Sequence, residues 1–166
     1  LDLLHEWMRM GVVETPRTVA IVGGGNTAVD IGRILKRLGA EEVHLITHER
    51  IPGPDVPASD CMRAAPKEVH QAIEEGVIIH EHRGVRRLLL KGNKVTGVEL
   101  VHAKKMKNPD GRVQVTTFEG TETVLHVEEV IPAIGQEVDA EGFESVLAGK
   151  PFIPVETYTG AIPGIP

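Results

Sequence analysis

The chain has 166 residues, 41% of them hydrophobic, and a formal net charge of −6. That length suits one domain with a real core, and no apolar run approaches the roughly 18 residues that a membrane-spanning helix needs. The acidic balance excludes a general nucleic-acid binder, which needs clustered Lys and Arg; the single cysteine excludes an internal disulfide and, with no targeting segment present, suits a cytoplasmic location.

In chain order, Leu3, Leu4, Trp7 and Met8 fall on one helical face, and Glu14-Thr15-Pro16 breaks the pattern, so residues 1–16 read as a connector helix and linker. Val19 to Val22 is an apolar strand that runs into Gly23-Gly24-Gly25-Asn26-Thr27-Ala28. Ala28, Ile31, Ile34, Leu35 and Leu38 then recur at helical spacing, opposite Arg33, Lys36 and Arg37, until Gly39. A second apolar run, Val43 to Thr47, completes a strand–helix–strand unit whose crossover is expected to be parallel and right-handed. Each residue type in the turn has a mechanical use. Gly23 permits the sharp bend, Gly25 lets backbone approach a phosphate, and Ala28 allows the helix to pack closely on the strand. The amides of Asn26 and Thr27 lie at a helix N-terminus, where unpaired N–H groups favour an anion. Such a turn grips the pyrophosphate of a dinucleotide.

From Arg50 to Pro66, four prolines and Gly53 exclude regular structure, which gives a loop at the carboxyl end of the second strand, the edge where open α/β sheets bind ligands. Val69, Ala72 and Ile73 mark a short helix closed by Gly76, and Val77 to His80 reads as a third strand. The period then changes to alternation. Val85–Leu90, Val95–Val101, Val113–Phe118 and Thr123–Val127 read as four successive antiparallel strands, with turns at 91–94 and 108–111. The chain returns through Glu129-Val130-Ile131 to a glycine turn at Ala133-Ile134-Gly135-Gln136.

The expected fold class is therefore α/β: a Rossmann-like parallel sheet with helices on one face and an antiparallel β-meander, at about 83–127, on the other. A dinucleotide-binding domain is placed at 17–136.

Several residues have competing readings. His80 and His82 alternate on a strand and, with His44 or His126, invite a metal reading, but no Cys or carboxylate pattern accompanies them. Cys61 lacks the partner of a Cys-x-x-Cys dithiol. Asp30 is expected to favour the helix dipole. The basic clusters Arg83, Arg86, Arg87 and Lys104, Lys105, Lys107 read as solvated faces. A non-catalytic dinucleotide-sensing module is the alternative to an enzyme part, whereas a short-chain dehydrogenase is disfavoured because no Tyr-x-x-x-Lys pair is present.

Gly-Gly-Gly-Asn-Thr-Ala-x-Asp at 23–30, Glu68-Val69 with Ala72-x-Glu74-Glu75-Gly76-Val77, and Ala133-Ile134-Gly135-Gln136 occur in the order found in a known family. The chain resembles the NAD(P)H-binding domain of FAD-dependent pyridine nucleotide oxidoreductases, in particular the glutamate synthase small subunit. In that family the nicotinamide domain is inserted into a split flavin domain, so the resemblance implies an NAD(P)-binding domain at 17–136 and a returning connector at 137–166 towards a flavin domain outside the chain, and Leu1 and the Pro166 end read as cut ends. The resemblance implies NADPH or NADH as cofactor, with FAD in the parent protein only. It also implies, as partners, the FAD-binding domain of the same parent chain and an iron–sulfur or glutamate synthase large-subunit-type protein. Gly23, Gly24, Gly25, Asn26, Thr27 and Ala28 match the pyrophosphate turn, and Ala133, Ile134, Gly135 and Gln136 the nicotinamide side.

The match is incomplete at the end of the second strand. Relatives that use NADPH tend to place two adjacent arginines there, where this chain has His48 and Glu49, followed by Arg50. Arg50 and His48 favour the 2′-phosphate of NADPH, and Glu49 is read as a solvent-facing loop residue. No catalytic residue and no metal ligand are expected, and the isolated chain is expected to be inactive and free of flavin.

Overall fold

In a computed structural model of the chain, residues 15–135 are described. The connector at 1–14, Gln136 and the returning segment 137–166 lie outside them. The chain divides into two units, Leu1–Ile134 and Gly135–Pro166, and every element named below belongs to the first.

Four parallel strands, β1 (Thr18–Val22), β2 (Glu42–Ile46), β3 (Val77–His80) and β7 (Glu129–Pro132), form a sheet in the order β3-β2-β1-β7. Helix α1 (Asn26–Arg37) crosses from β1 to β2, and α2 (Pro66–Glu74) precedes β3. The period-2 rule sorts the strand side chains between two cores. Val19, Ile21, Val43 and Leu45 face the helices with Ala28, Ile31, Leu35, Val69 and Ala72. Ala20 and Ile46 face the opposite way, packed with Val98 and Leu100 of the antiparallel layer and with Val127. Both faces of the sheet are thus covered, which is why β1 is apolar from Val19 to Val22 instead of alternating, while β2 keeps Glu42 exposed at its start and buries His44.

Helix α1 buries Ala28, Val29, Ile31, Gly32 and Leu35. Arg33, on its less buried side, makes ion pairs with Glu68 and with Glu75, 3.0 Å away, and so ties α1 to α2. Asp30 is exposed and sits beyond the first turn of α1, which contains no acidic residue. The dipole benefit expected of it falls off within that turn.

The second sheet holds three strands, β4 (Arg83–Lys91), β5 (Lys94–Lys107) and β6 (Val113–Leu125), not four. The segments expected as separate strands at 113–118 and 123–127 belong largely to β6, which runs on past an irregularity opposite Leu100 and His102. There Gly120 turns at φ +78°, and the Thr121 hydroxyl accepts the His102 amide at 2.9 Å and donates to the Phe118 carbonyl at 2.6 Å. A side chain thus replaces the lost ladder bonds, so pairing resumes on the other side of the bulge.

Candidate functional site

The carboxyl edge of the parallel sheet gathers the glycine turn, the end of β2, the loop from Arg50 to Ala65 and the end of β7. Gly23 has φ +150°, and a Cβ there would overlap the carbonyl oxygen of Ala133. The Ala133 amide in turn donates to the Val22 carbonyl at 2.8 Å. Glycine at 23 is therefore demanded twice, by conformation and by the approach of the 133 segment. Gly25 differs: its φ of −94° and ψ of 174° suit any residue, and a Cβ there would meet nothing within 4 Å. The side of the turn at Gly25 is open. No side chain caps the helix at Gly25, and Asn26 and Thr27 are exposed, so the first-turn amides that lack intrahelical acceptors are available to an anion. The side chain of Asn26 is engaged otherwise, since its Oδ1 accepts the Ala65 amide at 2.9 Å.

The proline-rich loop folds back onto this turn. Arg50 N donates to Asp60 O at 2.7 Å and Met62 N to Arg50 O at 2.9 Å, which closes the loop into a narrow neck; Ala64 N then donates to Gly24 O at 3.0 Å. Met62 and Ala64 are buried in the helix-side core and anchor the return. A further tie comes from His82, at φ +51° on the corner between β3 and β4, whose Nε2 lies 3.0 Å from Asp60 Oδ1.

The end of β2 corrects one expectation. Glu49 is only 3% exposed and does not face solvent. Its amide donates to Thr47 Oγ1 at 3.1 Å, and its carboxylate lies beside Gly24, where a Cβ would overlap Glu49 Oε2 and stand 2.7 Å from Thr47 Oγ1. Gly24 is small because of these protein atoms, whereas Gly25 faces open space. Oε1 of Glu49 forms an ion pair with Lys105 Nζ from β5, and Arg63 Nε and His48 Nε2 lie 3.9 and 4.0 Å away.

The reading of Lys104, Lys105 and Lys107 as a solvated face thus holds for the exposed Lys107 but not for Lys105, which is largely covered. Burial holds the His48 imidazole below its ordinary pKa, with Lys105 and Arg63 reinforcing the shift and Glu49 and Asp60 opposing it. Arg50 points its guanidinium towards Glu81, 3.9 Å away. Arg63, which no sequence signal singled out, stands 81% exposed at the mouth of the site.

Ala133 thus sits against the glycine turn, Ile134 is exposed, and Gly135 turns at φ +110°; Gln136 falls outside the described residues. The histidines that invited a metal reading are otherwise employed. His44 Nδ1 and His80 Nε2 are 3.0 Å apart, and His82 is held by Asp60. Among the described residues no group of three or more His, Cys, Asp or Glu is placed to hold a metal ion.

A parallel sheet covered by helices on one side and a meander on the other, with an uncapped glycine turn at its carboxyl edge, defines a dinucleotide-binding type of module. The comparisons with known proteins give its family. Residues 2–158 match the model described as pyridine nucleotide-disulphide oxidoreductase, and the chain belongs to that family.

Relatives include the beta subunit of a NADP(+)-dependent formate dehydrogenase of Moorella thermoacetica, 38% identical over 74% of this chain and 16% of that protein. The beta subunit of a NADPH-Fe(3+) oxidoreductase of Geobacter sulfurreducens is 40% identical over 84% of this chain and 20% of that protein. A homolog of the NAD-dependent dihydropyrimidine dehydrogenase subunit PreT from Salmonella typhi is 28% identical over 93% and 31%. The chain thus spans less than a third of the length of these relatives. Among solved structures, Lactococcus lactis thioredoxin reductase superposes with a TM-score of 0.58 at 17% identity over 94% of this chain and 41% of that one, a likeness of fold.

Proposed function

We propose that the chain is the nicotinamide dinucleotide-binding module of a flavin-dependent oxidoreductase, built like the glutamate synthase small subunit, and that it takes NADPH. The observation that carries this reading is the contrast within one turn: Gly23 and Gly24 are packed against protein, while Gly25 faces open space next to an uncapped helix N-terminus. When bound, NADPH supplies a hydride for a flavin held by a domain outside this chain. The chain's residues position it. The turn from Gly23 to Ala28 holds the pyrophosphate, the cations near the end of β2 hold the adenosine end, and Ala133 to Gln136 border the nicotinamide.

NADPH is favoured over NADH by the cations at the end of β2. The exposed Arg63 guanidinium suits a phosphate fork, with His48 and Arg50 on either side of Glu49. The two relatives with the higher identities carry NADP or NADPH in their names, whereas the 28% relative carries NAD, which supports the same choice. The relatives are also named as subunits, which supports a partner subunit; a flavin domain of the same parent chain and an iron–sulfur or large-subunit-type protein are the partners proposed.

Calorimetric titration of the chain with each dinucleotide tests the proposal. Measurable binding of NADPH is expected. Tenfold tighter binding of NADH, about 1.4 kcal/mol, refutes the NADPH choice, and binding of neither refutes the whole reading.

A further inference from the structure

We infer that Lys105, on β5 and outside the strand–helix–strand unit, is a specificity-determining residue that fixes NADPH over NADH by occupying the carboxylate of Glu49. The inference rests on the NADPH reading above and names a residue that sets it. A free carboxylate at this edge of the sheet accepts ribose hydroxyls and repels a 2′-phosphate. Glu49 is so placed in sequence, two residues after Thr47, yet its Oε1 is taken by the Lys105 ammonium and its Oε2 is tucked beside Gly24 and the Thr47 hydroxyl.

The pairing has a second effect. Because Lys105 satisfies Glu49, Arg63 stands off at 3.9 Å with its side chain 81% exposed and its donors available to an incoming phosphate. His48 stands off in the same way at 4.0 Å.

Without Lys105 the balance reverses. A buried carboxylate does not stay unpaired, so Glu49 recruits Arg63, the nearer of the two remaining cations. The 2′-phosphate then loses its arginine to Glu49, a loss that falls on NADPH and not on NADH. Lys105 touches neither cofactor in this scheme; it is a positioning residue acting through Glu49.

The test titrates NADPH and NADH calorimetrically into the full chain at one fixed salt concentration, for wild type, Lys105→Met and the double variant Lys105→Met/Glu49→Gln. Thermal unfolding of each is followed in parallel. Lys105→Met is expected to move the NADPH-to-NADH preference about tenfold towards NADH, about 1.4 kcal/mol. The double variant, which has no carboxylate to redirect, is expected to regain most of the wild-type preference. A single variant that loses both affinities in proportion, or keeps the wild-type ratio, overturns the inference, as does a double variant that fails to recover. A wild type that binds neither dinucleotide overturns the underlying reading and this inference together. A wild type that prefers NADH overturns only the NADPH choice, and the ratio shift in Lys105→Met still decides the role of Lys105.

Discussion

Alanine at Gly25 and alanine at Gly23 should separate binding from folding, although the two sites are two residues apart. At Gly25 the backbone already occupies a region open to alanine, and the new Cβ meets no atom within 4 Å. The folding cost is limited to replacing glycine by alanine at a helix N-cap, about 0.5–1 kcal/mol. That Cβ nevertheless projects into the space assigned to the pyrophosphate. NADPH affinity should fall at least about tenfold, or about 1.4 kcal/mol.

At Gly23 the balance is the opposite. The φ of +150° costs a side chain about 1–3 kcal/mol, and overlap with the Ala133 carbonyl, which belongs to backbone and cannot swing away, adds overpacking of about 1–3 kcal/mol. Together these predict a loss of about 2–6 kcal/mol and a fall in Tm of at least about 4 °C. Urea unfolding and calorimetric titration with NADPH, run on both variants, read the two quantities separately. If Gly25→Ala binds NADPH as wild type does while Gly23→Ala keeps its stability, the assignment of the open side of the turn to the ligand is wrong.

Two further outcomes concern pH and one concerns the meander. Hydrogen bonds from Arg33 and Arg37 hold the Glu75 carboxyl down to about 2, below its ordinary 4.5. The stabilisation from this group is complete above pH 4.5 and is lost as pH falls towards 2; Glu75→Gln should flatten that acid limb in unfolding experiments. Burial, His44 and Arg83 hold His80 below its ordinary 6.5. Its unfolded form then takes up the proton first, so stability should decline as pH falls through 6.5, and His80→Gln should reduce the slope between pH 7 and 5. At Gly97 a Cβ would lie 2.6 Å from the Leu125 carbonyl oxygen and 3.3 Å from His126 Cα. Gly97→Ala should therefore cost about 1–3 kcal/mol by urea unfolding while leaving the NADPH affinity of the folded protein unchanged.

The sequence was most legible where structure is local. The strand, glycine turn and α1 follow from an apolar run, a turn that needs glycine at 23, and a 3.6-residue pattern of which Ala28, Ile31 and Leu35 are buried, joined by Val29 and Gly32, while Ile34 and Leu38 are only partly covered. The β3 strand and α2 are short, and α2 was legible from Val69, Ala72 and the closing Gly76, but Pro66, read as part of the loop, is its first residue, where a missing N–H costs nothing. The meander was legible as alternation, but β6 was divided in two because its bulge is repaired by a hydroxyl, and Thr121 carries no signal of that role in a one-dimensional pattern.

The surroundings of the end of β2 were the least legible part of the site, for a physical reason. Whether Glu49 faces water or protein depends on a cation 56 residues further on, in a strand whose own period says only that position 105 alternates with its neighbours. A run such as Lys104-Lys105-Met106-Lys107 looks uniformly solvated, because composition reports charge and not which member crosses over another sheet. In the scheme proposed above, the glycine turn holds the pyrophosphate, whereas the choice of adenosine end is a tertiary property, set by how β5 carries Lys105 over to Glu49 at the end of β2.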